Sequence, residues 1–301
     1  MKRITLLDGG VGQEVYKRAG KPDSPMWSAQ MTLERPGLVK AVHRDFIRAG
    51  SRVITINTYS CTPSRLRRDG EIEWFEPLQR QAYEIAALAR AELASEAPDV
   101  QIAACLPPLI GSYTTDDRSF SALKAEYDAI VALQAARADL FLIETIADLK
   151  EARAAVEAAL PSGKPVLLSF TVSDDAAGKL RGGEPVEEAA RLVSAYALGG
   201  LLFNCSSPET ITEALEAMGN PGIPYGGYAN AFTSVAPLRP GGLVNRLSAR
   251  CNLEEEQYTE FAMRWVENGA TIVGGCCEVG PSYIQAVCGA LKRNGYSITA
   301  V

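Results

Sequence analysis

Short runs of apolar and β-branched residues recur along this chain, and each is followed by a stretch whose apolar positions return every three or four residues. Compact runs of the first kind mark strands and the longer period marks helices. The strand candidates are ITLLDG (4–9), RVITINTYS (52–60), QIAACLP (101–107), LFLIETI (140–146), PVLLSFTV (165–172), GLLFNC (200–205), YGGYAN (225–230) and TIVGGC (271–276). The helices between them have readable ends. ERPGLVKAVHRDFIRAG carries Pro36 near its start, Leu38, Val42, Phe46 and Ile47 on one face, and Gly50 as a stop. LEEEQYTEFAMRWVENG opens acidic, as a helix N-terminus favours, and closes on Gly269. DLKEARAAVEAAL and EPVEEAARLVSAYALGG are plainly amphipathic, and residues 61–100 are long enough to predict two helices.

Strand then helix, repeated eight times, predicts parallel strands joined by right-handed crossovers, and eight is the number that closes a (β/α)8 TIM barrel. The competing open doubly wound sheet announces itself with G-x-G-x-x-G after its first strand, and DGGVGQE lacks that spacing. The last helical stretch, PSYIQAVCGALKRNG, lies almost at the end of the sequence, so a single barrel domain over residues 1–301 is expected.

Composition narrows the function classes. A hydrophobic fraction of 47% with 22% charged residues is that of a soluble globular protein, and 17 scattered prolines argue against a disordered block. A net charge of −6 disfavours binding nucleic acid or anionic lipid, both of which need clustered positive charge, and favours a small or cationic ligand. No apolar run approaches the roughly 20 residues of a membrane span, and MKRITLLDGG lacks a secretion signal's apolar core. Seven scattered cysteines, an odd number, do not form a disulfide framework and point to a reducing cytoplasm.

In a TIM barrel the reactive groups gather at the C-terminal strand ends. Those ends carry Asp8, then Thr55, Asn57 and Tyr59, then Glu144, Cys205, Tyr228 and Asn230, and finally Cys276 with Cys277. Cys61, Cys105, Cys251 and Cys288 read as small packing residues. An adjacent pair at strand eight with a third thiol at strand six, a strand of matching parity, reads instead as a metal site, because thiolates are soft ligands suited to zinc. Three protein ligands leave a tetrahedral zinc ion one open position, the arrangement of a catalytic site. Such a centre suits holding a substrate thiol as thiolate, which points to thiol alkylation. His43 is the sole histidine and lies mid-helix, a surface or packing position, which excludes histidine-based metal or base chemistry. No lysine sits at a strand end, which excludes a Schiff-base aldolase. Glu144 either pairs with an arginine or recognises a substrate ammonium with help from Asp8, while the N–H groups of Gly9 and its neighbour are placed to take a carboxylate. Asn230 adds a further candidate substrate contact, and Trp27, Tyr59 and Tyr113 offer aromatic faces to a cationic methyl donor.

These residues resemble those of the zinc-dependent homocysteine S-methyltransferases. The similarity runs through LLDGGVGQEV, WSAQMTLERPGLVKAVHRDFIRAGSRVITINTY, FLIETIADLKEA, LLFNCSSPETI and VGGCCEVGPSYI, and the last two are highly specific in combination. The resemblance implies a TIM barrel holding zinc through Cys205, Cys276 and Cys277, with Asp8, Thr55 and Glu144 at homocysteine and methionine as product. Within the family, which also includes betaine users and the homocysteine domain of methionine synthase, the short sulfonium-using branch is nearest. It implies S-methylmethionine or S-adenosylmethionine as donor, with a betaine-type onium as the alternative. A barrel that binds zinc or a thiol without catalysis, and one using Gly274 and Gly275 as a phosphate cradle, are the rival readings of the same residues.

Overall fold

The computed structural model describes residues 2–22, 24–176, 178–238 and 246–301. Its parallel strands are β1 (Arg3–Leu6), β2 (Val53–Thr55), β3 (Gln101–Leu106), β4 (Leu140–Ile146), β5 (Val166–Phe170), β6 (Gly200–Asn204), β7 (Tyr225–Tyr228) and β8 (Ile272–Val273). Each pairs with the next in sequence, and β8 returns to β1 through Thr5 against Ile272 and Leu6 against Val273. The circle closes between β1 and β2 by a parallel bridge of Leu7 with Val53 and by the Arg52 N–H donating to the Leu6 carbonyl at 2.8 Å. The expected TIM barrel therefore forms.

Alternation along the strands sorts the apolar residues into two buried layers. Leu7, Val53, Ala103, Leu140, Leu142, Leu167, Leu202 and Ile272 fill the barrel, while Leu6, Phe141, Ile143, Leu168, Phe170 and Phe203 face the helices. The strands are shorter than the apolar runs that announce them. β8 ends after two residues because Gly274 and Gly275 turn the chain across β1, where a Cβ on Gly274 would stand 2.6 Å from that of Leu7. The helix ends follow their sequence signals. Pro36 opens the helix Pro36–Ala49 and Gly50 stops it at φ 118°, while Asp148 caps Leu149–Ala159 by accepting from the Glu151 N–H at 2.8 Å. Residues 61–100 hold the two predicted helices, Pro63–Asp69 and Phe75–Glu92, with a 3-10 turn at Ile72–Trp74 between them.

A ninth strand, β9 (Ser297–Thr299), has no counterpart among the eight predicted ones. It pairs in parallel with Arg3–Thr5, on the edge that β1 shares further along with β2. Ala300 packs against the barrel interior and accepts from the Thr5 hydroxyl at 3.1 Å, and the Val301 N–H donates to the Gln101 side chain at 3.0 Å. The tail thus covers the end of the barrel opposite the strand C-termini. SITAV carries no more strand signal than many loops, and its pairing depends on an edge of β1 that exists only in the barrel.

Of the two positions expected for His43, the structure selects packing. The ring is fully buried within Pro36–Ala49, and neither nitrogen has a hydrogen-bond partner among the described residues. Burial lowers its pKa to about 4.

Two outcomes follow from these packing relations. Above pH 6.5 the histidine is neutral in both folded and unfolded chains, whereas between about pH 6.5 and 4 only the unfolded chain takes up the proton. His43 is therefore expected to cost about 3 kcal/mol of stability by pH 4, at about 1.4 kcal/mol per pH unit. In urea unfolding across that range, the stability of His43→Leu relative to wild type should rise by that amount, because the buried carboxyls titrate alike in both. Removing residues 297–301 should lower stability by about 2 kcal/mol or more, through lost β1 pairing and an opened barrel end, measured by thermal unfolding.

Candidate active site

The thiols converge at the C-terminal mouth. Cys205 directly follows β6 with φ 50°, its N–H bonded to the Tyr228 carbonyl at 3.2 Å, and the Cys276 N–H bonds to the next carbonyl, Ala229, at 2.9 Å. β7 thus carries both neighbours' cysteines on consecutive carbonyls. The Sγ of Cys276 lies 2.7 Å and that of Cys277 3.9 Å from the Sγ of Cys205, and all three sulfurs lie within 4.8 Å of one another. Loop contacts fix this arrangement. The Gly275 N–H bonds to the Asp8 carbonyl at 2.9 Å and the Gly10 N–H to Val279 O at 3.0 Å. A Cβ on Gly9 would stand 2.1 Å from Val279 O, so only glycine admits that approach.

The chemistry of this donor set fits a thiophilic divalent cation. Burial opposes a thiolate at Cys205, yet hydrogen bonds from Cys276, Cys277 and Tyr113 outweigh it and hold that thiol well below its ordinary range. Burial pushes Cys276 well up, and the hydrogen bond to Cys205 does the same for Cys277. The protein alone therefore stabilises one negative charge among three sulfurs, and three thiolates need a cation. A tetrahedral zinc ion with bonds of about 2.3 Å holds its sulfurs about 3.8 Å apart. The 3.9 Å pair already meets that spacing, and the 2.7 Å pair has to open by about 1 Å.

Two carboxyl groups stand beside the thiols. Asp8 accepts from the Thr55 N–H at 2.7 Å and from its hydroxyl at 3.3 Å. Burial holds Asp8 well above the usual carboxylate range, and the Glu144 charge adds to the rise. Glu144 has no arginine among the described residues and instead accepts from the Cys105 thiol at 3.0 Å; burial raises its pKa to about 7. Cys105 is thus more than packing. Glu144 sits in a bulge of β4, where Thr145 takes φ 62°. Buried Asn204 fixes that bulge by accepting from the Thr145 N–H and donating to its hydroxyl, both at 2.8 Å. Asn204 was not among the sequence candidates. Its only signal is an amide where a β-strand otherwise reads as apolar.

Asp8, Gly9, Trp27, Thr55, Tyr59, Tyr113, Glu144 and the three cysteines all line one cavity. Asn230 does not: its side chain accepts from the Phe232 N–H at 3.0 Å, bracing the turn after β7. Asn57 does line the cavity, with its amide engaged by Ser28 and Thr32, at 2.8 and 3.1 Å. Of the glycine N–H groups considered for a carboxylate, that of Gly10 is taken by Val279, and that of Gly275, half of the alternative phosphate cradle, is taken by Asp8. Trp27 meets Tyr59 edge to face at 6.1 Å. Guanidinium groups cover one face each of Tyr59 and Tyr113, from Arg65 at 5.0 Å and Arg181 at 5.1 Å. The Tyr113 hydroxyl lies 3.0 Å from the Cys205 sulfur. Cys61 and Cys288 are buried packing residues as expected, whereas Cys251 is exposed in a turn.

Comparison with known proteins covers almost the whole chain. The sequence profile described as homocysteine S-methyltransferase matches residues 5–291. The homocysteine S-methyltransferase of Escherichia coli K12 is 28% identical, with 94% of each chain covered. The selenocysteine Se-methyltransferase of Brassica oleracea is 26% identical, covering 94% of this chain and 87% of its own length. The metallated form of the homocysteine methyltransferase MmuM from Escherichia coli superposes with a TM-score of 0.78 at 26% identity, covering 95% of this chain and 96% of that one. A thiol trio at the mouth of a barrel whose whole length matches one profile leads to a single assignment: the chain belongs to the homocysteine S-methyltransferase family.

Proposed function

We propose that this protein, as a single barrel domain over residues 1–301, transfers a methyl group from a small onium donor to the sulfur of homocysteine, giving methionine. S-methylmethionine or S-adenosylmethionine is the donor we favour. The observation that carries the reading is the convergence of Cys205, Cys276 and Cys277 beside two carboxyl groups that lack a cationic partner among the described residues.

Zinc bound by Cys205, Cys276 and Cys277 would supply a fourth position at which a substrate thiol is a thiolate at neutral pH. The protein's own groups do the rest. Asp8, held by Thr55, and Glu144 recognise the amino group of homocysteine, and a cation arriving there lowers the pKa values that burial has raised. Trp27 and Tyr59 line the same cavity as the thiols, where a positive methyl group is attracted to aromatic faces. The leaving group departs neutral, so no general acid is required, and rate comes from holding sulfur and methyl in line. Because the chemistry needs reduced thiols and no helix among the described residues is long and apolar enough to cross a membrane, a cytoplasmic setting fits.

Chelation should abolish methionine formation, and added zinc should restore it. Cys276→Ala should lose both bound metal, read by elemental analysis, and turnover with a panel of onium donors. Undiminished activity in metal-free enzyme would overturn the zinc reading, and absence of product with every donor despite stoichiometric zinc would leave a binding protein. Glu144→Gln should raise the KM for homocysteine about tenfold or more, the size expected for losing a charged hydrogen bond, with donor KM little changed.

A further inference from the structure

The cavity is lined by charged groups of both signs. The thiols, Asp8 and Glu144 line it together with two arginines from the segment after β2, Arg65 and Arg68. Arg68 is neutralised in place: it pairs with Asp69 at 2.5 Å and donates to the Ile110 carbonyl. Arg65 is not. It is only 7% exposed, and its Nε and Nη2 both donate to one neutral acceptor, the Pro108 carbonyl, at 3.2 and 2.9 Å. Its plane lies over the Tyr59 ring at 5.0 Å. Among the described residues no carboxylate pairs with Arg65, and its Nη1 has no hydrogen-bond partner.

A buried guanidinium without a counterion is costly, and arginines are seldom fully buried unless paired. The contacts with Pro108 and Tyr59 pin the loops after β2 and β3 together, which is a structural role, but they leave the charge unbalanced. Nothing among the described residues balances it, and a ligand entering the cavity can. A guanidinium presents parallel N–H groups that match a carboxylate. Arg65 lies over the ring of Tyr59, an aromatic that suits the donor, whereas the two acids that suit the ammonium of homocysteine are held by Thr55 and Cys105.

We propose that Arg65 binds the carboxylate of the methyl donor. The donor is then a zwitterion, with a carboxylate at Arg65 and an onium methyl beside Trp27 and Tyr59, and a simple onium lacking an acid group is a poor substrate. This rests on the proposed methyl transfer for its kinetic arm alone, since binding is measurable without turnover.

The test compares S-methylmethionine with its methyl ester in wild type, Arg65→Met and Arg65→Lys. Donor affinity is read by Trp fluorescence and calorimetry without homocysteine, and donor and homocysteine KM are read by methionine formation. Wild type should bind the acid about tenfold or more tightly than the ester. Arg65→Met should erase that difference by weakening the acid alone, Arg65→Lys should recover part of it, and the KM for homocysteine should stay within about twofold. Equal affinity of acid and ester in wild type overturns the proposal, and that comparison stands even if a variant fails to fold. Equal weakening of both ligands in Arg65→Met would assign Arg65 a structural role instead, and a raised homocysteine KM with unchanged donor KM would assign it to the acceptor. No turnover in wild type would reject the proposed methyl transfer and leave the binding comparison intact.

Discussion

The site depends on how closely β7 lets its two neighbours approach. β7 reads YGGY, and a Cβ on Gly226 would stand 1.7 Å from the carbonyl oxygen of Ile272 on β8. No other residue type fits there without moving β8 outward. Because the gap is closed, consecutive carbonyls of Tyr228 and Ala229 take the N–H groups of Cys205 and Cys276, and the sulfurs from two different strands meet over the barrel. A wider β7 would leave the same three cysteines in the sequence without a common centre.

Around that centre the backbone is held in conformations that L-residues avoid. Trp27, Tyr113, Thr145, Cys205 and Glu278 all have positive φ, and all lie at or near the mouth. Each costs on the order of 1–3 kcal/mol, and such conformations persist where the surroundings over-determine them. The surroundings do so here. Asn204 clamps Thr145, the Tyr113 hydroxyl meets Cys205, and Glu278 is held by Gln13 and Lys17, both at 2.5 Å. Strain, crowded thiols and, among the described residues, acids and a guanidinium without ionic partners are each unfavourable. Most of these groups border one cavity, where ligands of opposite charge offset several of them together.

Much of this was legible in the residues. The eight strands, the closing of the barrel, the two helices in residues 61–100 and the three-thiol cluster follow from periodicity and from which residue ends each apolar run. Asn230 could not be placed from the residues because a polar side chain just after a strand can point into the mouth or brace its own turn, as Asn230 does. A different ambiguity, on a short helix, hid Arg65. In TPSRLRRDG it is one of three arginines within four residues, and nothing local marks it as the buried one.

The sequence by itself determined which segments are strands and helices, which residues stand at the mouth and what chemistry three thiols favour, because these depend on spacing within one element and on the intrinsic nature of each side chain. Tertiary structure alone decided that, among the described residues, Glu144 meets no arginine, His43 has no hydrogen-bond partner and Arg65 lines the cavity without a counterion, and that the C-terminal residues cover the far end as a ninth strand. Each of these concerns a partner far away in the chain, and a partner's presence or absence is settled only when the closed barrel brings distant segments into contact.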